Sequence, residues 1–191
     1  MVEGERRLTE VLKQQDGQTC LICCLLMNYS HLTKEAIDSR RTEEELHHSA
    51  FGLYPEYPPL SQLAAFIRGF EGIEAKMLID SPEFARYLHK LNREKTIKIV
   101  QQEINPQWVM TQLQATGQSV LVFIDYFYLG YPAHTPHWLE VLSCQEGSFE
   151  VADSGVGSLR SISKKMLGDS IGGLKYVMLW SPAAIILGKA S

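Results

Sequence analysis

Little in this sequence is in excess. Lysine and arginine number 18 against 22 aspartates and glutamates, the net charge is −4, and the isoelectric point is about 5.9. The two signs are interspersed, so there is no basic stripe to track phosphates, and neither nucleic acid nor an anionic membrane is an expected partner. Long apolar runs are missing as well. The longest, Cys20–Met27 and Tyr176–Gly188, are too short to span a bilayer, and Pro182 interrupts the second. The opening residues, MVEGERRLTE, are charged where a secretory signal would be apolar, so none is expected. Cysteine is sparse: four residues in a chain expected to be cytoplasmic do not make a disulfide framework, and the thiols should be free. No repeat, low-complexity segment or Pro/Gly/Ser-rich linker divides the 191 residues. One domain, 1–191, is therefore expected, and its 45% apolar content is enough for a sizeable core.

The first half reads as helical. Thr19 is placed to cap a helix from Cys20 to about Tyr29, and TEEE at Thr42–Glu45 has the capping-box pattern that opens a second. PPLSQLAAFIRGF is expected to be a third, Ile73–Ile79 a strand, and SPEFARYLHKLNRE a helix capped by Ser81 with Pro82 at its first position. TIKIV is β-branched, but its pairing is not determined by the sequence. NPQWVMTQLQATG predicts a helix between Asn105 and Gly117, and the continuous apolar run SVLVFID predicts a buried strand. HWLEVLSC and SFEVADS, separated by QEG, predict a hairpin, and LKYVMLW predicts the last strand. Helices followed by an antiparallel sheet define an α+β domain.

Three of the four cysteines lie within LICC and the residue before it, Cys20, Cys23 and Cys24. Nucleophilic thiol chemistry needs a thiolate, a base to share its proton and a group to orient that base. Cys20, at the first turn of its helix, lies at the positive end of the helix dipole, which favours the anion. Cys23 and Cys24 fall one turn further in on an apolar helix and read as small buried residues. Of six histidines, His47 and His48 sit beside acidic residues, and His31 and His89 lie in or beside surface helices. His134 and His137 flank the start of a strand, and His137 opens it, which holds its backbone rigidly.

Hairpin arithmetic supplies the orienting group. With Gln145–Gly147 as the loop, Cys144 faces Ser148 and Leu139 faces Asp153, so His137 is a diagonal neighbour of Asp153, roughly 7–8 Å away between backbones. Glu150 and Asp125 are the alternatives, and Asp153 in ADSG also suits a turn. An oxyanion needs fixed N–H donors. Gln14, Gln15 and Gln18 all precede Cys20, and the Cys20 amide itself is a second donor.

The order Gln, Cys, His, Asp resembles papain-like cysteine peptidases. More narrowly, it is similar to the double-glycine leader peptidase domains at the front of bacteriocin-exporting transporters and to their free-standing relatives. That resemblance covers about residues 14–182. It selects Gln14, six positions before Cys20, and matches LICCLLMNY after the cysteine and LQATGQSVLVFID before HWLEVL. It also matches an acidic residue sixteen positions after the histidine, which is Asp153, and a closing strand, YVMLWSP. Thr19 and Leu21 flank Cys20 where the family has Asp or Asn and Gly, and Ser154 follows Asp153 where the family has Pro. The resemblance implies a papain-like fold, with the nucleophile at a helix start packed on a C-terminal sheet. It implies Cys20, His137 and Asp153 as catalytic residues, Gln14 in the oxyanion hole, no cofactor and no metal. The expected substrate is a peptide, amide or acyl compound, hydrolysed or transferred through a thioester; the transporter's leader peptide does not carry over. The aromatic stretch Tyr126–Tyr131 and Trp138 fall where a substrate groove would lie, although Trp138 suits a structural role equally well.

Two other classes compete. Cys20 and Cys23 with His134 and His137 could form a Cys₂His₂ zinc site, or the CxxC alone a redox pair. A third possibility is a binding module on the same fold that has lost its activity.

Overall fold

A computed structural model describes residues 11–35, 37–93, 95 and 97–190. Its elements run α1 (Cys20–Thr33), α2 (Ser39–Ala50), α3 (Pro58–Gly69), β1 (Ile73–Ile79), α4 (Pro82–Leu91) and β2 (Lys98–Gln101). They continue with α5 (Pro106–Thr116), β3 (Val120–Asp125), a 3-10 turn (Tyr126–Leu129), β4 (Pro136–Gln145), β5 (Ser148–Asp153), β6 (Ser158–Ser163), α6 (Lys164–Tyr176) and β7 (Ala183–Lys189). The seven strands form one sheet in the order β2-β1-β7-β3-β4-β5-β6. Its β1–β2 pairing is parallel and the others are antiparallel, so the sheet is mixed rather than antiparallel throughout; it takes in the expected strand Ile73–Ile79, and Lys98–Gln101 of TIKIV pairs beside it.

The sheet is covered on both faces. In β3, Leu121 and Phe123 join the core made with α1, α2, α3 and α4, while Val120, Val122 and Ile124 join the core made with α5 and α6. A strand packed on both sides cannot alternate apolar with polar, which is why SVLVFID is a continuous apolar run. Asn105 and Ser81 cap α5 and α4 as expected, their side chains accepting from Trp108 N and Phe84 N. Gly117 closes α5 in the left-handed region. Among the described residues, no helix is long and apolar enough to cross a membrane.

Two expectations about elements fail. LKYVMLW is not a strand. Ser163 caps α6 through Met166 N, and Leu167, Ile171 and Leu174 recur at helical spacing along its buried side. Gly173 lets this helix lie against the sheet, because a Cβ there would stand 2.4 Å from the Tyr128 ring and 2.6 Å from Asp125 Oδ2. The chain then doubles back, with Trp180 N donating to Leu174 O, and the strand that fills the middle of the sheet is β7, beyond Pro182. Nor does Thr42 open α2, which starts at Ser39. The Thr42 hydroxyl donates to Asp38 O inside the helix, and Glu45 pairs with Arg41 at 2.7 Å rather than reaching back as a cap.

The hairpin carries two deviations that cancel. Its loop is two residues, Glu146 and Gly147, both at positive φ, so Gln145 faces Ser148 and Cys144 faces Phe149, not Ser148. A bulge between Val141 and Ser143 then restores the lost residue, and Glu140 faces Ala152. Beyond the bulge the register is the expected one, with Leu139 falling opposite Asp153.

Candidate active site

The polar loop before α1 is pinned from three directions. Gln14 N donates to Ser154 O at 3.0 Å, Gln15 N to Glu43 Oε1 at 3.0 Å, and Gln62 Nε2 to Gln18 O at 2.7 Å. Glu43, buried on the inner side of α2, also accepts the Thr19 hydroxyl. Thr19 therefore precedes the helix without capping it: its hydroxyl is spent on Glu43 and Asp16 O. The result is a fixed exit from which Cys20, 8% exposed, becomes the first residue of α1. There the N–H groups of the opening turn have no intrahelical acceptor. Cys23 and Cys24 are fully buried; burial raises both thiols well above the ordinary range, with Glu43 adding to the effect at Cys23 and neighbouring Cys20 at Cys24.

His137 comes in from the start of β4, paired with Ile124 of β3. Its Nε2 lies 3.1 Å from Asp153 Oδ1. The Cys20 thiol lies close enough to the ring to act on its charge, and with Nε2 committed to Asp153, Nδ1 is the nitrogen not bonded to that carboxylate. Burial, the largest influence on His137, pulls its pKa down. The hydrogen bonds and charges of Asp153 and Cys20 outweigh it and leave the pKa raised to about 9.

Asp153 is fully buried and accepts from four donors. His137 and Gly155 N bind Oδ1, the latter at 3.0 Å, while Tyr126 Oη at 2.8 Å and Arg160 Nη1 at 3.0 Å bind Oδ2. Burial alone would raise this carboxyl; the contacts with His137, Tyr126 and Arg160 prevail and hold it below its usual pKa, so it is an anion. Gln14 adjoins the same strand end. Besides its backbone bond, its Oε1 accepts the Ser154 hydroxyl at 3.2 Å, so the donor of that side chain is its amide NH₂.

Three stretches of sequence thus converge: His137 meets Asp153, Gln14 is held to the neighbouring Ser154, and Cys20 lies within reach of the His137 charge. Glu150 on β5 pairs with Ser161 of β6, and Asp125 serves another histidine: His134 Nδ1 is 2.6 Å from Asp125 Oδ2, with Phe127 stacked on the ring. The Cys₂His₂ grouping is not assembled, and among the described residues no three His, Cys, Asp or Glu side chains are placed to hold a metal ion. His31 is not a plain surface residue, for its Nδ1 lies 3.0 Å from the fully buried carboxylate of Glu140. Trp138 is buried and stacked on Phe123, which is a structural placement.

Three neighbours were not foreseen. Tyr126 stacks on His137 with 4.3 Å between ring centroids while its hydroxyl holds Asp153, so it belongs to the buried site; Phe127 and Tyr131 are the exposed members of that aromatic stretch. Arg160 had a signal. Asp153 pairs with Ser158 across a tight turn, which makes Arg160 its diagonal neighbour by the same arithmetic that linked it to His137. Glu43 had none, since its role depends on α2 turning that one carboxylate inward.

The chain shares the fold of the peptidase domains of double-glycine leader peptidases. Two solved structures carry the comparison. One is the peptidase domain of Streptococcus ComA, a bi-functional ABC transporter involved in a quorum-sensing pathway, with a TM-score of 0.57 and 12% identity over 95% of this chain and 98% of that one. The other is a double-glycine motif protease from an AMS/PCAT transporter in complex with the leader peptide, with a TM-score of 0.54 and 14% identity over 98% of this chain and 96% of that one. No family model and no curated protein matches the chain.

Proposed function

We propose that residues 1–191 form one papain-like domain acting as a thiol-dependent hydrolase, a cysteine peptidase or amidase with a Cys20–His137–Asp153 triad. The observation that carries this reading is the position of His137, 3.1 Å from a buried carboxylate and within electrostatic reach of a helix-terminal thiol. In this mechanism Cys20 gives its proton to His137 and the thiolate attacks a carbonyl carbon. The oxyanion accepts from the Gln14 amide and from Cys20 N–H at the head of α1. His137 then protonates the leaving amine, which departs and leaves a thioester on Cys20. Water, deprotonated by His137, attacks the thioester and releases the acid and the thiol. Asp153 keeps the imidazole oriented and stabilises its charged form throughout. No cofactor enters any step. A peptide substrate is favoured by the leader peptide held by the second structural relative, and a cytoplasmic setting accords with four free thiols.

The test is digestion of a proteome-derived peptide library by wild type and Cys20→Ala, with new termini read by mass spectrometry. Cleavage present only with Cys20 supports the proposal. Products carrying an added amine in place of a free acid would make the enzyme an acyltransferase, and no Cys20-dependent product would refute catalysis on such substrates.

A further inference from the structure

Arg160 projects from β6, outside the three residues proposed to do the chemistry, and its guanidinium is spent on two acceptors. Nη1 donates to Asp153 Oδ2 at 3.0 Å and Nη2 to Leu129 O at 2.7 Å. Leu129 ends the 3-10 turn that begins with Tyr126, and Tyr126 in turn covers the His137 ring and donates to the same Asp153 oxygen. One side chain therefore ties the triad's acid to the segment lying over the triad's base. A lysine, with a single ammonium, cannot present the planar fork that spans both acceptors.

We propose that Arg160 is a positioning residue of this site: it sets the pH window of the Cys20–His137 pair through its charge on Asp153, and it holds the Tyr126 turn against the imidazole. This rests on the proposed triad. The groups that act on the pair can be named. His137 on β4 faces Cys20 on α1 and Asp153 on β5; Asp153 faces Tyr126 on the 3-10 turn and Arg160 on β6. Cys23 and Cys24 lie inward of Cys20 on α1, the first facing Glu43 of α2 and the second within the field of Glu140 on β4. Arg160 is the cation among these apart from His137 itself. Taking it away leaves Asp153 uncompensated, and a net negative change raises the pKa of every neighbouring group, thiol and imidazole alike.

The experiment is the pH–rate profile of Cys20 alkylation by iodoacetamide, site-resolved by mass spectrometry, for wild type, Arg160→Gln and Arg160→Lys. For Arg160→Gln, both the acid and the basic limbs are expected to move upward by about one pH unit. Arg160→Lys, which keeps the charge but loses the fork, should return both limbs to the wild-type positions at a reduced plateau rate. Limbs that stay put in a folded Arg160→Gln, whatever the rate does, overturn the proposal, because a merely structural residue would lower the plateau without moving the limbs. Should Arg160→Gln fail to fold, the Lys variant decides, and displaced limbs there overturn the proposal. A fast wild-type Cys20 with unmoved limbs defeats this inference alone; a wild type lacking any fast thiol defeats the proposed triad and this inference with it.

Discussion

Replacing Asp153 with asparagine keeps the shape of the acid and deletes its charge. His137 is pushed from the usual 6.5 to about 9 against the downward pull of its own burial, and Asp153 and Cys20 supply the opposing push. The net rise is about two and a half pH units. Because burial subtracts from that rise, Asp153 must contribute at least half of it if the two partners act comparably. The ratio of thiolate–imidazolium to neutral pair follows the difference between the two pKa values. Loss of Asp153 should therefore lower the charged-pair population between about 20-fold and about 300-fold. The direct assay is NMR titration of imidazole-labelled protein, with the His137 signal assigned by its absence in His137→Ala. The His137 pKa should fall from about 9 to between about 7.8 and about 6.5 in Asp153→Asn, since burial is then opposed by Cys20 alone. The variant should also lose about 2–4 kcal/mol of stability, because the Arg160 charge loses its partner and an asparagine amide cannot satisfy all four donors. A His137 that still titrates near 9 in a folded Asp153→Asn would refute the reasoning, whatever the activity.

Other outcomes follow from the same contacts. His137 has a raised pKa, so its contribution to stability is fully present below pH 6.5 and is lost as pH rises through about 9; unfolding measured across that interval should show about 3 kcal/mol draining away in wild type and far less in His137→Ala. Gly173→Ala forces a methyl into the Tyr128 ring and the Asp125 carboxylate and should lower stability by about 2–3 kcal/mol in chemical denaturation, whereas Gly172→Ala, whose nearest neighbour is the Tyr176 ring at 3.8 Å, should cost less. Glu43→Ala strips the acceptor from Gln15 N and the Thr19 hydroxyl, and should cost about 2 kcal/mol while slowing Cys20 alkylation several-fold through a loosened exit into α1. Once a cleaved peptide is in hand, Ser154→Ala should lower kcat about ten-fold with KM and the alkylation profile unchanged, because Ser154 orients the Gln14 amide and touches neither the thiol nor the imidazole.

What could be read in advance was whatever local chemistry decides. Asn105 and Gly117 bracket α5 because a cap and a left-handed residue act over a few positions, and SVLVFID declares a doubly covered strand by composition alone. Placing Cys20 at a helix start and His137 at a strand start needed only local signals. The link from His137 to Asp153 came out right through two compensating departures, a shorter turn and a bulge, neither of which has a period-two signature in HWLEVLSC. YVMLW misled because an apolar run of that length suits a strand and a helix end equally. What settled it was the close approach at Gly173, a fact about Asp125 and Tyr128 far away in sequence. Ser154 looked like a departure from the family pattern and sits buried as the partner of Gln14. Tyr126 and Glu43 illustrate the remaining gap, since each acquires its role from a packing partner at long sequence separation, which no local pattern encodes.

The claim on which everything else depends is that Cys20 and His137 share a proton as a thiolate–imidazolium pair. Its most direct test is the pH dependence of iodoacetamide alkylation at each of the four cysteines, in wild type and in His137→Ala. Cys20 alone should react fast below pH 7, and that advantage should vanish in His137→Ala while Cys144 keeps its rate. Four slow thiols with ordinary profiles in wild type, or a fast Cys20 indifferent to the loss of His137, would contradict it.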